Sequence, residues 1–241
     1  MREVGMNSRE KLDLSAYIVI GPENIKNRRV AKVIYDVVEA GFTCVQIRSK
    51  TASATELIQL TKQAASAIEK AGKTNQVTLL VNDRLDVILA ARMEGVKVDG
   101  IHVGQADIPV EVCRRYLGED SVIGVTATTE ELLAYIQTMS TSQIDYLGIG
   151  PLRETTTKPD CGLGADGIII TRSFDEIKAL VKVSPLPLVV GGGVKFSDLP
   201  SLAQTGADGF FVVTAISEAD DPKEAALEMV NEWRANKVSL C

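Results

Sequence analysis

An α/β chain folded as a single (β/α)8 TIM barrel is what this sequence predicts, and three observations predict it. Eight short apolar, β-rich runs recur along the 241 residues, stretches with helical apolar spacing separate them, and polar or glycine-rich residues follow seven consecutive runs. Near-continuous apolar strands without polar alternation signal strands covered on both faces, as in parallel sheets. Eight such strands, each followed by a helix, fit the size of a barrel. A doubly wound open sheet is the competitor, because strand order is not written in a sequence.

A short polar extension at 1–14 precedes the first run, AYIVI (16–20). Val33, Ile34, Val37 and Val38 then repeat at helical spacing over 30–40, closed by Gly41. The second run, TCVQI (43–47), leads to a helix over 55–71. There Leu57, Ile58, Leu60, Ala64, Ala65 and Ile68 share a stripe, and Gly72 serves as the stop. VTLLV (77–81) is followed by LDVILAA, and GIHV (100–103) by a segment that Pro109 could open as a helix. VIGV (122–125), DYLGIG (145–150), PLVV (187–190) and GFFVV (209–213) complete the eight. Their helices are expected over 129–138, 174–181, 199–205 and 222–235. No linker or composition shift interrupts residues 1–241, so one domain is expected.

Composition narrows the function. Net charge is −6, from 26 Lys+Arg against 32 Asp+Glu, which argues against a general nucleic-acid binder. No run reaches the length of a membrane span, and the first fifteen residues lack a secretory core, so a cytoplasmic protein is expected. Cys44, Cys113, Cys161 and Cys241 are widely spread, which speaks against a disulfide framework or a zinc site. His102 is the one histidine, so chemistry needing two is excluded.

Barrel chemistry sits on the loops after the strands. Arg48 and Lys50 alternate on an extended end, and Lys158 adds a cation from another loop. Arg offers a planar fork and Lys a point charge for phosphate oxygens; solvated surface charge is the bland alternative. Asp83 and Asp107 are the natural carboxylate pair. With water and substrate phosphate they could hold Mg²⁺, or each could cap the helix that follows it. GGGV after the seventh strand lets backbone N–H groups approach a phosphate, where a simple turn needs only one glycine. GLGADG matches G-x-G-x-x-G but follows a polar loop and precedes IIIT, so it is not a dinucleotide fingerprint. His102 could be a general base, but inside a strand-like run between Ile101 and Val103 it reads rather as a structural or supporting histidine.

Taken in order, QIRSK, VNDR, IHVGQAD, GPLRETTTK, GGGV and VTAI resemble the motifs of the thiamine phosphate synthase family over nearly the whole chain. The resemblance implies a barrel enzyme, a transferase that joins a pyrimidine diphosphate to a thiazole phosphate with Mg²⁺. It places Gln46, Ile47, Arg48, Ser49, Lys50, Asn82, Thr126 and Lys158 at the pyrimidine-diphosphate site, with Arg48, Lys50 and Lys158 assisting pyrophosphate departure. It places Thr155, Thr156, Thr157, Gly192, Gly193, Val213 and Thr214 at the thiazole-phosphate site, and Asp83 and Asp107 on the metal. The chain departs from the family where S-A-H-T reads TATT, with Thr126 for serine and Thr128 for histidine. It departs again where Arg153-Glu154 replaces an aromatic, and where the first strand ends in GPEN.

The rivals are a thiazole tautomerase relative, which needs the histidine that Thr128 replaces, a sugar-phosphate isomerase or epimerase, and a non-catalytic ligand-binding barrel. Segment 153–172 is expected to close over bound diphosphate. Small-molecule substrates are the expected partners, and oligomeric state, a homodimer included, is left open.

Overall fold

A parallel sheet leaves no unpaired edge only if its last strand returns to its first. The computed structural model, which describes residues 8–127, 132–155, 162 and 167–237, shows that closure. The strands are β1 (Ala16–Ile20), β2 (Cys44–Ile47), β3 (Thr78–Asn82), β4 (Gly100–Val103), β5 (Val122–Ala127), β6 (Tyr146–Ile149), β7 (Leu188–Val190) and β8 (Gly209–Val212). They pair in chain order, and β8 pairs with β1 through Phe211 opposite Tyr17. The open sheet is therefore excluded, and every strand read from the sequence is present within two residues.

The helices are α1 (Val30–Glu39), α2 (Ala54–Lys70), α3 (Leu85–Met93), α4 (Val110–Leu117), α5 (Leu132–Thr138), α6 (Phe174–Val183), α7 (Leu199–Gln204), α8 (Thr214–Ser217) and α9 (Pro222–Asn236). Local chemistry starts several of them. Ser53 accepts the Glu56 N–H while Glu56 reaches back to the Ser53 N–H, a reciprocal cap. Asp221 accepts from Lys223 and Glu224 ahead of α9. The one-turn α8 was not legible as a helix, because VTAI reads as the end of an apolar strand. None of the described helices is long and apolar enough to cross a membrane.

Alternation along the strands sorts the side chains into two cores. Outward residues such as Ile18, Ile20, Val45, Ile47, Leu79, Val81, Ile101 and Ile123 pack with helix residues including Val33, Ile34, Leu57 and Ile88. Inward residues Tyr17, Val19, Cys44, Leu80, Val122, Tyr146 and Val189 form a separate cluster with Phe211. Large inward rings need small neighbours. A Cβ on Gly124 would lie 2.1 Å from the Tyr146 ring, and one on Gly191 2.1 Å from the Phe211 ring. Both cores exclude water; each fully buried Ile, Val or Leu contributes about 1.5–3 kcal/mol. Cys44 and Cys113 are buried free thiols, while Cys161 and Cys241 lie outside the described residues.

The N-terminal strand ends are held by aspartates just before alternate strands. Asp99, Asp145 and Asp208 accept the N–H of Leu79, Ile123 and Leu188, at 2.8, 2.7 and 2.8 Å. Residues 8–14, read from the sequence only as a polar extension, lie across this end. Ser8 donates to Asp99 at 2.9 Å, Arg9 pairs with Asp145 at 2.5 Å, and Leu14 is buried. Arg114, almost fully buried, also pairs with Asp145 at 2.8 Å. Replacing Asp145 by Ala would leave that guanidinium without its counter-charge. Urea unfolding of Asp145→Ala should show a loss of about 3 kcal/mol, and a loss below ~1 kcal/mol would show that the pair is not needed there.

Candidate active site

Inward positions change character toward the C-terminal strand ends. Gln46, Asn82, His102 and Thr126 occupy the last inward positions of β2 to β5, and all four line one cavity. Rings and apolar side chains from the other strands, chiefly Tyr17, Val189 and Phe211, complete its wall. It holds about 850 Å³ of space, open mouth included, enough for a small heterocycle with phosphate groups. Arg48 lies on its rim. A second, more open depression formed by Glu23, Asn24, Lys50, Thr51 and Glu218 shares Arg48 and Thr214 with it.

The polar residues beneath the cavity are joined. Gln46 donates its amide N–H to the Tyr17 hydroxyl. The Tyr17 and Tyr146 hydroxyls lie 3.0 Å apart. Tyr146 Oη is 2.8 Å from His102 Nδ1, and His102 Nε2 is 2.8 Å from Thr126 Oγ1. Burial raises both tyrosines well above the ordinary phenol range, so they stay neutral hydroxyls. His102 thus lines the cavity itself as well as supporting Thr126. Tyr17 and Tyr146 escaped the sequence reading because their runs are apolar on both faces, which hides the inward positions.

Arg48 and Lys50 stand on a turn built by Glu23, from the GPEN segment. One Glu23 carboxylate oxygen accepts from the Ser49 hydroxyl, from the N–H groups of Lys50 and Thr51 at 3.0 and 3.3 Å, and from the Thr51 hydroxyl at 2.8 Å. Burial pushes the Glu23 carboxyl up, but the Ser49 and Thr51 hydrogen bonds outweigh it and hold it below its usual range. Two of the expected diphosphate residues have their side chains committed elsewhere. The Ile47 side chain points outward into the helix-facing core and does not line the cavity, because β2 alternates and Gln46 takes the inward place. Ser49 spends its hydroxyl on Glu23 and on the Ala52 N–H at 2.9 Å, and lines neither depression.

Across the cavity, Gly192 and Gly193 have φ of 78° and 77°, left-handed values that suit glycine. Both line the cavity, beside Val213, Thr214 and Thr155. Their N–H groups make no backbone bond among the described residues. Arg153 clamps this turn: it donates to the Gly193 carbonyl at 2.9 Å and grips Asp198 with two bonds of 2.6 Å. Arg153, standing where the family carries an aromatic, is therefore a tie between two loops. Segment 153–172 is anchored at both described ends, by Arg153 and by the Arg172 N–H on the Pro151 carbonyl at 2.8 Å. Thr156, Thr157 and Lys158, like Thr128, lie outside the described residues.

Neither aspartate is the helix cap that the sequence offered as an alternative. Arg84 and Pro109 occupy the cap positions of α3 and α4. Asp83 has a φ of 61°, and its carboxylate accepts from Asn82. Asp107 accepts the Gly104 N–H at 2.8 Å. Among the described residues there is no group of three or more His, Cys, Asp or Glu suited to a metal. Two carboxylates without a third such donor would suit Mg²⁺, which keeps waters and takes substrate phosphate oxygens, better than zinc. The GLGADG segment is not followed by a helix; α6 begins later, capped by Ser173.

The family model described as thiamine monophosphate synthase matches residues 16–216. A thiamine-phosphate synthase of Corynebacterium efficiens is 38% identical over 221 residues, covering 90% of this chain and 94% of that one. One from Clostridium tetani is 30% identical, covering 91% and 96%. Among solved structures, the thiamine phosphate pyrophosphorylase of Pyrococcus furiosus superposes with a TM-score of 0.74 at 24% identity, covering 95% of this chain and 98% of that one. The 3-hexulose-6-phosphate synthase of Salmonella typhimurium superposes at 0.64 with 16% identity, covering 92% and 100%. At those identities the structural likeness speaks for the barrel alone.

Glu23 organises the cationic turn without touching the cavity floor. Glu23→Ala should weaken binding of inorganic pyrophosphate with Mg²⁺ by about tenfold in calorimetry, while Glu23→Gln, which keeps an acceptor, should lose less. Because the carboxyl is held below its usual range, its bonds to the turn persist at neutral pH and are lost only as pH falls through that lowered value. Equal affinity in Glu23→Ala and the unaltered protein would remove this role.

Proposed function

We propose, from the premise that this chain belongs to the thiamine monophosphate synthase family, that it joins an aminopyrimidine methyl diphosphate to a thiazole phosphate. The products are thiamine phosphate and pyrophosphate. The bond between the methylene carbon and the diphosphate oxygen breaks, with the electron pair leaving on pyrophosphate. The thiazole nitrogen lone pair forms the new carbon–nitrogen bond.

One observation carries this reading. The described residues lining the cavity include no carboxylate, cysteine or lysine, whereas they include one arginine and a glycine turn on opposite loops. Displacement of pyrophosphate needs no side-chain nucleophile and no acid–base pair; it needs orientation and relief of growing negative charge. An isomerase or epimerase needs an acid and a base at the reacting carbon.

The roles follow from position. Arg48 and Lys50, joined by Lys158, neutralise the diphosphate. Asn82 and Thr126 hydrogen-bond its oxygens or the pyrimidine edge. The pyrimidine ring lies among Tyr17, Phe211 and Val189, whose packing excludes water that could capture an electron-poor methylene. Gly192, Gly193, Val213, Thr214 and Thr155 receive the thiazole phosphate, at the loops after strands seven and eight where barrels often bind phosphate. Thr156 and Thr157 extend this side in sequence. Asp83 and Asp107 would hold Mg²⁺, which when bound supplies charge neutralisation to the leaving pyrophosphate.

Purified protein given both substrates and Mg²⁺ should release thiamine phosphate and pyrophosphate in equal amounts. Arg48→Met should lower kcat by about 10²–10³-fold with the fold intact by circular dichroism. Asp83→Asn should raise the Mg²⁺ concentration needed for half-maximal rate. Absence of product, or full activity of Asp83→Asn in chelator-treated buffer, would overturn the reaction or the metal role respectively.

A further inference from the structure

The row of hydrogen bonds under the cavity has a direction, and its far end fixes it. The Gln46 amide nitrogen can only donate, so the Tyr17 oxygen accepts there. Either hydroxyl could donate between the two tyrosines; the assignment that gives the buried Tyr17 proton a partner is donation to the Tyr146 oxygen at 3.0 Å. Tyr146, having accepted one proton, passes its own to His102 Nδ1 at 2.8 Å. A neutral imidazole that accepts at Nδ1 carries its hydrogen on Nε2. That hydrogen is donated to Thr126 Oγ1 at 2.8 Å. Thr126 therefore accepts from below, and its hydroxyl proton is left for a partner in the cavity that it lines.

We propose that the row Gln46–Tyr17–Tyr146–His102 sets the Thr126 hydroxyl as an outward donor to an oxygen of the departing diphosphate, which makes His102 and the two tyrosines positioning residues. The inference rests on the reaction proposed above for the identity of the acceptor, and on the hydrogen bonds alone for the direction. It goes beyond the resemblance, which places Thr126 at the pyrimidine-diphosphate site but gives Tyr17 and Tyr146 no role and leaves His102 a structural or supporting residue. Neighbouring backbone makes the row reachable. Gly124 lies in register with both His102 and Tyr146, and its missing side chain leaves the space the Tyr146 ring occupies. Gly148, opposite Thr126, has the His102 ring 3.1 Å from where its Cβ would be. A donor fixed in advance needs no reorganisation as charge builds on the leaving group, which is where such hydrogen bonds accelerate reactions.

The chain holds a single histidine, so a nitrogen-15 NMR spectrum of the labelled protein reports one imidazole. The expected spectrum is that of a neutral ring with hydrogen on Nε2 and an accepting Nδ1. A ring protonated on Nδ1, or on both nitrogens, at neutral pH overturns the inference whatever the catalytic result. Tyr146→Phe removes the donor to Nδ1 without touching the cavity anion. It should shift the tautomer mixture toward Nδ1–H, weaken inorganic pyrophosphate binding severalfold, and lower kcat about tenfold with KM for the thiazole phosphate unchanged. Thr126→Val should lower kcat by about a hundredfold, and Thr126→Ser should restore most of it. Unchanged pyrophosphate affinity in both Thr126→Val and Tyr146→Phe overturns the donor role even where the tautomer is as expected. Absence of coupling activity in the unaltered protein, with the Nε2–H ring and pyrophosphate effects present, would refute the proposed reaction and leave the directed donor standing.

Discussion

The inside of an eight-stranded parallel barrel has to be filled, and every polar atom used to fill it has to find a partner. Here the requirement is met by two tyrosines that are too long for a purely apolar plug. Tyr17 and Tyr146 turn their hydroxyls toward each other, one receiving from Gln46 and the other meeting His102. The apolar parts of the rings pack with Leu80, Val122 and Val189, while the hydroxyls carry a polar line across the barrel to Thr126. Satisfying the interior thus also builds the floor of the cavity. The glycines at 124, 148 and 191 are consequences of the same constraint, because bulk on one strand requires its absence on the next.

The two ends of the barrel then divide their labour. At the N-terminal strand ends, acidic groups are consumed in structure: Asp99, Asp145 and Asp208 hold strand starts, and Asp145 neutralises a buried Arg114. At the C-terminal ends, much of the polar chemistry on display is itself held by neighbouring side chains. Glu23 supports the turn bearing Arg48 and Lys50, and Arg153 with Asp198 supports the glycine turn. Each cationic or glycine-rich element that faces the cavity has such a brace on its outer side.

The strand count, their order along the chain and nearly all helix positions were legible in the sequence. Strands buried on both faces announce themselves as unbroken apolar runs, and Gly41 and Gly72 follow the ends of α1 and α2. The same double burial conceals which side chains face inward, so nothing in the runs marks Tyr17 and Tyr146 as inward or the Ile47 side chain as facing the helices. Motif letters also do not say whether a polar group is spent. The Ser49 hydroxyl is bonded to Glu23, Arg153 ties two loops together, and Asp83 and Asp107 read equally as possible caps although Arg84 and Pro109 hold those positions. Bonds between residues more than a hundred positions apart, such as Tyr17 to Tyr146, leave no local trace.

On the proposed function one cavity has two anion ends, at Arg48, Lys50 and Thr126 on one side and at the Gly192–Gly193 turn on the other. A crystal structure of the protein with thiamine phosphate, pyrophosphate and Mg²⁺ tests it directly. Pyrophosphate should lie against Arg48, Lys50 and the Thr126 hydroxyl, and the ester phosphate against the backbone of Gly192 and Gly193. Pyrophosphate on the glycine turn, or both anions on the same side of the His102–Thr126 pair, would contradict the account.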